Sequence, residues 1–217
     1  MYFKSRTEAG EKLAELLDKY RYENVAVMAL NLGAVTVAEP IAKRLHALLG
    51  MFISEEICVP GEDVPFGTVG QDGHFMANHK LSLDETNEYY AEFHGVIEQQ
   101  KREKYAKINR IIADGGTLEP SLLQEHVIIL VSDGLGSGDV LAAAVEFLKP
   151  VETKRVVVCA PVASVQAIDT MHIMADELHC LGVTENFIET QHYYDAHDEP
   201  TREQAVEQIN RIILNWK

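Results

Sequence analysis

Residues 128–140 read IILVSDGLGSGDV. Four apolar residues run out into Ser132 and Asp133, Gly134, Gly136 and Gly138 follow at alternate positions, and residues 140–148 resume with a helical period. A short apolar run closed by glycines is the pattern of a buried strand, and its passage straight into a helix makes a βα corner. Downstream, residues 155–160 read as the next strand, 165–174 as a helix, 177–181 as a short strand and 201–217 as a closing amphipathic helix. Upstream, residues 5–20 read as a helix with Leu13, Leu16 and Leu17 on its apolar side and Ser5 and Glu8 at capping-box spacing. Residues 25–30 form a strand that turns at Asn31-Leu32-Gly33, 35–49 a helix that tolerates Pro40 near its first turn, and 51–57 a second strand. Residues 61–83 are rich in Gly, His and Asp, with weak alternation at Val64, Phe66 and Val69, and predict a hairpin-bearing excursion. Residues 84–113 form a long helix whose second half, QQKREKYAKINR, is too polar to be buried. Strands alternating with helices imply right-handed crossovers and a mostly parallel central sheet with helices on both faces, an α/β fold. The expected organisation is one domain over 1–217, with 61–113 a hood or insertion within it.

Composition narrows the function classes. Apolar residues make up 47% and charged residues 24% of 217, an ordinary globular balance. No apolar run approaches the ~20 residues a membrane-spanning helix needs, and residues 1–20 lack the apolar core of a secretory signal, so a soluble, cytoplasmic protein is expected with no membrane partner. Acidic residues number 34 against 19 basic, a formal charge of −15. Duplex nucleic acid rewards phosphate neutralisation, so no nucleic-acid partner is expected. Cys58, Cys159 and Cys180 are odd in number and far apart, which fits neither a disulfide framework nor a zinc site.

The glycine corner carries the chemistry. Ligands of open α/β sheets bind outside the carboxyl ends of strands. Glycines there allow positive φ and close approach, and amides at a helix start favour an anion. Three readings compete: a tight βα turn with glycines for geometry alone, a dinucleotide fingerprint, and a pocket for a ribose 5-phosphate. The fingerprint is a poor fit, because Asp139 stands where the third glycine should be and the strand over 156–160 ends in Ala-Pro rather than an acid. A Walker loop is excluded for want of Gly-Lys-Ser/Thr. In the third reading Asp133 accepts sugar hydroxyls while the loop holds phosphate.

With those residues in view, 128–140 resembles the phosphoribosyl diphosphate (PRPP) signature of type I phosphoribosyltransferases. There, four apolar residues precede two acids, a glycine, an apolar residue, Ala-Thr-Gly, any residue and a threonine. Residues 30–38 (LNLGAVTVA) are similar to the pyrophosphate-loop segment of a bacterial branch of that family, which usually carries Pro-Arg-Gly-Gly. Residues 58–70 (CVPGEDVPFGTVG) are similar to its Pro-Gly…Gly-x-Val stretch, 157–162 (VVCAPV) to the strand after the PRPP loop, and 187–195 to its late aromatic stretch.

The resemblance implies transfer of phosphoribosyl from PRPP to a nitrogenous base with release of pyrophosphate, in a homodimer, with Mg2+ carried by the ligand and met by Asp133. It assigns Asp133 the catalytic task of orienting the ribose hydroxyls. Gly136, Ser137 and Gly138 would hold the 5-phosphate, with Ser132, Gly134 and Asp139 in the same loop, and Asn31 and Gly33 would hold pyrophosphate. Four departures point to the alternative, a non-catalytic PRPP- or nucleotide-sensing protein on the same fold. Ser132 replaces the first acid, Val140 replaces the last threonine, and Asn31-Leu32-Gly33-Ala34 lacks the arginine. Asp139 sets a carboxylate in the phosphate loop, where facing the ligand at 4–6 Å would cost roughly 3–4 kcal/mol at an effective dielectric near 20.

Other groups have two readings each. Lys101, Arg102, Lys104, Lys107 and Arg110 could steer phosphate from the hood, or form a solvated face with a Glu98–Arg102 pair. His74, His79, His192, Asp195 and His197 fit no recognised metal-ligand spacing and read as surface or hydrogen-bonding groups. Tyr193 and Tyr194 could stack on a base or pack the last helix, and Cys159 reads as a small buried residue within a strand.

Overall fold

A computed structural model of the chain describes residues 2–61, 65–78 and 80–214. In order, these form α1 (Arg6–Leu16), β1 (Val25–Ala29), α2 (Leu32–Leu45), β2 (Leu48–Met51), β3 (Ser54–Ile57), β4 (Gly67–Gly70), β5 (Phe75–Ala77), α3 (Leu83–Ala113), β6 (Val127–Val131), α4 (Asp139–Leu148), β7 (Arg155–Ser164), α5 (Val165–Met174), β8 (Glu177–Thr184) and α6 (Arg202–Leu214). β2-β1-β6-β7-β8 make a five-stranded sheet in which every pairing is parallel.

Both faces of this sheet are covered, which is why its central strands are apolar at every position rather than at alternate ones. Val25, Val27 and Ala29 of β1 and Val127, Ile129 and Val131 of β6 pack with α1, α2 and α6. Ala26, Met28, Ile128 and Leu130 point the other way into α4 and α5. Gly10 lets α1 approach α2 closely, since a Cβ there would lie 2.3 Å from the Val37 carbonyl oxygen. β3, β4 and β5 form a separate antiparallel sheet, and with α3 they sit over the carboxyl ends of β1 and β2. Val64, His79 and the last three residues of the expected closing helix lie outside the described residues.

Several expected boundaries shift. The predicted helix over 35–49 starts at Leu32 and ends at Leu45, where His46 takes a left-handed conformation (φ 52°) and the chain enters β2. Pro40 therefore lies inside the helix, not near its first turn. No glycine or proline punctuates 41–49, so the apolar run concealed this break. The single strand expected over 51–57 is two, β2 in the main sheet and β3 in the small one. Leu16 is 48% exposed, leaving Leu13 and Leu17 as the buried leucines of that helix. β7 continues through Pro161 to Ser164, and β8 past the expected 181 to Thr184, because residues 162–164 pair with 182–184. Leu135 of the glycine corner bridges Ala163 on the other side. α3 runs its full predicted length with a kink at Phe93.

Candidate functional site

Strand order alone locates a binding crevice. From β1 the chain passes outward to β2, and from β6 it passes the other way to β7 and β8, so the connections diverge between the carboxyl ends of β1 and β6. Ligands of open α/β sheets bind at such switch points. Here that places Asn31–Gly33 beside Ser132–Gly138.

On the β6 side, the first two residues after the strand are fully engaged. Ser132 is 1% exposed, and its hydroxyl donates to the Gly134 carbonyl (2.9 Å) and accepts from the Gly134 amide (3.2 Å). Asp133 is 3% exposed and its Oδ2 accepts from Nε of the equally buried Arg6 at 2.8 Å. Arg6 Nη1 donates to Asp198 (2.9 Å) and Gln191 (3.2 Å), and its guanidinium lies 4.6 Å from the centroid of the Tyr194 ring. Tyr194 donates its hydroxyl to the Asp133 main-chain oxygen at 2.5 Å. Burial opposes the Arg6 charge, but hydrogen bonds and charge from Asp133 and Asp198 outweigh it and hold its pKa above the ordinary value. Burial, reinforced by the Asp133 charge, pushes the Tyr194 hydroxyl up. The acid expected to face sugar hydroxyls is thus the partner of an arginine 127 residues away. Gly33 closes over the pair, for a Cβ there would stand 2.1 Å from Asp133 Oδ2 and 2.7 Å from Arg6 Nε.

The glycines of the loop are not left-handed. Among the described glycines only Gly61, Gly73, Gly115 and Gly116 have positive φ. Gly134, Gly136 and Gly138 instead serve close packing: a Cβ on each would meet Thr190 (3.0 Å), Phe187 (2.8 Å) and Thr170 (2.4 Å) respectively. One side of the corner is therefore covered by residues 187–190 and by α5. The amides of Gly136, Ser137 and Gly138, by contrast, donate to no partner among the described residues, and the Ser137 hydroxyl is likewise unengaged. Gly138 caps α4 without a side-chain bond, so the helix start adds its own unsatisfied amides and positive dipole end. Asp139 is the first residue of α4, and it borders a small cavity shared with Thr68, Ala77 and Asn78 of the hood hairpin.

On the β1 side, Asn31 caps α2 by accepting from the Ala34 amide (2.7 Å), which leaves its side-chain NH2 for the crevice. Asn31 and Val140 both border a cleft of about 530 Å3 between the carboxyl ends of the sheet, β3 and α3. Its apolar wall includes Met51, Phe52, Ile53 and Ile111, and its charged wall is Glu55, Glu56, Lys104, Lys107 and Arg202. A mostly apolar cleft of that size with a few polar groups suits a small molecule.

The basic concentration of α3 divides at this cleft. Lys104 and Lys107 reach across it to Glu55, at 3.1 and 2.5 Å. Burial works to raise the Glu55 carboxyl, but the hydrogen bonds from Lys107 and Lys104 overcome it and hold the group below the usual range. Lys101 pairs with Glu98 (2.9 Å) and lies 4.1 Å over the Phe75 ring. Glu98 thus pairs with Lys101 at i+3 rather than with the expected Arg102 at i+4.

The remaining sequence candidates scatter. Tyr193 and Tyr194 are both 5% exposed and pack with Phe3 and Phe187 rather than against α6. His192 bonds the Tyr2 hydroxyl (3.0 Å), Cys159 is wholly buried, and among the described residues no group of three His, Cys, Asp or Glu is placed to hold a metal. Sequence reasoning missed Arg6 and Arg202. Arg6 carries one available signal: a cation in the first turn of a helix opposes the dipole and calls for a compensating acid.

The family described as "Phosphoribosyl transferase domain" matches residues 4–198. The chain belongs to that phosphoribosyltransferase family. It is 25% identical over 214 residues to "Putative phosphoribosyl transferase Rv0571c" of Mycobacterium tuberculosis strain H37Rv, covering 96% of this chain and 46% of the relative. The protein of strain CDC 1551 named "Putative phosphoribosyl transferase MT0597" matches at the same identity and coverage. The chain thus spans about half the length of the curated relatives it matches. Its fold is that of the protein TT1426 from Thermus thermophilus, with a TM-score of 0.72, 24% identity, and 100% and 99% of the two chains covered. Among the described residues no helix is long and apolar enough to cross a membrane.

Proposed function

We propose that this phosphoribosyltransferase-type domain binds PRPP, or a related phosphosugar or nucleotide, at the β1/β6 switch point. The observation that carries this reading is the set of unpartnered amides at Gly136, Ser137 and Gly138 leading into α4, which suits a 5-phosphate. The Ser137 hydroxyl adds a donor. Asn31 and the amides opening α2 face the same crevice and suit a second phosphate group. In this reading Asp133 is a positioning residue, because its carboxylate fixes the corner through Arg6.

Catalysis on this scaffold transfers the phosphoribosyl group to a ring nitrogen of a base. The bond from the anomeric carbon to pyrophosphate breaks, the bond to nitrogen forms, and the proton displaced from nitrogen passes to solvent. Such a step needs positioning and electrostatics more than acid–base groups. A protein-held Mg2+ does not fit the residues present, because Asp133 is neutralised by Arg6 and Glu55 by two lysines. Mg2+ would arrive on the phosphates of the ligand.

The second reading, a ligand sensor without turnover, is favoured by the same engaged pair: Ser132 closes its own turn and Asp133 holds Arg6, so neither residue at the end of β6 offers a free carboxylate to the ribose hydroxyls. Thermal melting with PRPP, nucleotides and phosphate, run beside a pyrophosphate-release assay over a nucleobase panel, separates the cases. A ligand at 100 Kd adds about 2.7 kcal/mol, a clear melting shift. A shift with release supports the enzyme, and a shift without release supports the sensor. A flat melting profile with every ligand overturns both. If the sensor reading holds, Ser132→Asp combined with Val140→Thr gains measurable release.

A further inference from the structure

We infer that Arg202 is the oxyanion receptor of the cleft, supplied by α6 rather than by either loop of the switch point. Arg202 borders the cleft together with Asn31 and Val140. Its Nη2 donates to the carbonyls of Ile111 (2.7 Å) and Gly115 (2.9 Å), which anchors the guanidinium against the end of α3. Its Nε is buried without a partner and closed to a ligand. Nη1, which donates to no partner among the described residues, is therefore the donor left for the cleft, and no carboxylate among the described residues forms an ion pair with the guanidinium. With both Nη2 hydrogens given to carbonyls, the guanidinium offers an oxyanion a charge-assisted hydrogen bond from Nη1, held in place by those two anchors.

The surroundings support the same assignment. Along the cleft three cations, Lys104, Lys107 and Arg202, face two carboxylates, Glu55 and Glu56. That local excess stands in a chain with formal charge −15, so the cleft is where an anion is drawn. Burial lowers the Arg202 pKa against the opposing pull of Asp114 and Glu203, as expected for a cation short of a counter-charge. The apolar wall at Phe52, Ile111 and Val140 accepts a ring. The ligand class is therefore a planar ring or sugar carrying an oxyanion that meets Arg202. This rests on the switch point as the binding crevice but not on the glycine loop holding phosphate.

Calorimetric titration of the full chain with inorganic pyrophosphate, orotate, neutral uracil and PRPP tests the assignment, with each repeated on Arg202→Gln, Arg202→Lys and Ser137→Glu. Binding of pyrophosphate or orotate that weakens roughly tenfold or more in Arg202→Gln, with uracil unaffected, is the expected result. Which of the two anions binds tells a phosphate source from a carboxylate source. Arg202→Lys keeps the charge but loses the anchored Nη1 donor, and is expected to fall between the two. Ser137→Glu is expected to abolish PRPP binding while sparing the small anions, so loss of the loop reading is distinguishable from loss of this one. Anions binding Arg202→Gln as they bind the native chain, or a native chain that binds neither anion, would overturn the assignment. If Arg202→Gln is too unstable to titrate, Arg202→Lys decides: weakened anion binding supports the assignment, and affinity equal to native overturns it.

Discussion

The two sides of the switch point are built on opposite principles. On the β6 side, charge is consumed internally: Asp133, Arg6 and Asp198 saturate one another below residues 187–194, with both members of the Arg6–Asp133 pair at 3% exposure or less. On the β1 side, charge lines an open cleft, and one of its cations, Arg202, forms no ion pair among the described residues. The first arrangement fixes a shape and the second offers a surface. A conspicuous acid beside glycines is therefore a poor guide to which residues meet a ligand, because its burial decides its role.

The largest effect expected from breaking this contrast is at Asp133. Asp133→Ala leaves Arg6 buried beside a lost partner, and removing one member of a buried pair typically destabilises by about 3–5 kcal/mol. Urea unfolding checks this. A double replacement, Arg6→Met with Asp133→Leu, is expected to recover much of the loss, and equal loss in single and double variants would show that the pair is not the cause. Gly33→Ala comes next. Its Cβ would stand 2.1 Å from Asp133 Oδ2, an overpacked contact expected to cost about 2–3 kcal/mol by the same measurement. A neutral Gly33→Ala would mean that the two sides are not packed against each other.

The smallest effect serves as a control far from the crevice, at the start of β8. Burial works to raise the Glu177 carboxyl, but hydrogen bonds from Lys19, Tyr20 and His179 overcome it and bring it down to about 2 from 4.5. A depressed folded pKa gives stability that is present above the unfolded value and lost as pH falls through the folded one. Native chain and Glu177→Gln are expected to differ in urea midpoint above about pH 4.5 and to converge toward about pH 2. Anion titration of the cleft is expected to be the same in both.

The parallel sheet was legible because fully buried strands leave continuous apolar runs, and 25–30 and 127–131 are such runs. The glycine corner was equally legible as a strand–turn–helix. Its internal chemistry was not, since the pairing of Arg6 with Asp133 spans 127 positions and no local pattern encodes it. Local sequence offers positive φ or close approach to a ligand as reasons for those glycines, whereas side chains from 170, 187 and 190 explain them sterically. Lys104 and Lys107 sat in a stretch whose polarity marked it as exposed, and polarity alone does not distinguish a bulk-facing residue from one bordering a cleft. Arg202 looked like any charge opening an amphipathic helix, and its importance rests on the carbonyls it caps at Ile111 and Gly115.

Arg6 has a consequence for assembly of the chain. It draws together residues 6, 133 and 198, so the corner closes a circuit of 192 positions and requires both extremes of the polypeptide at once. Closing long loops is slow relative to local ordering, so this clasp should fasten after the strands it secures. Pulse-labelled hydrogen exchange during refolding should then protect the amides of β1 and β6 before those of Gly134 and Leu135, and the reverse order would place the clasp among the first contacts made.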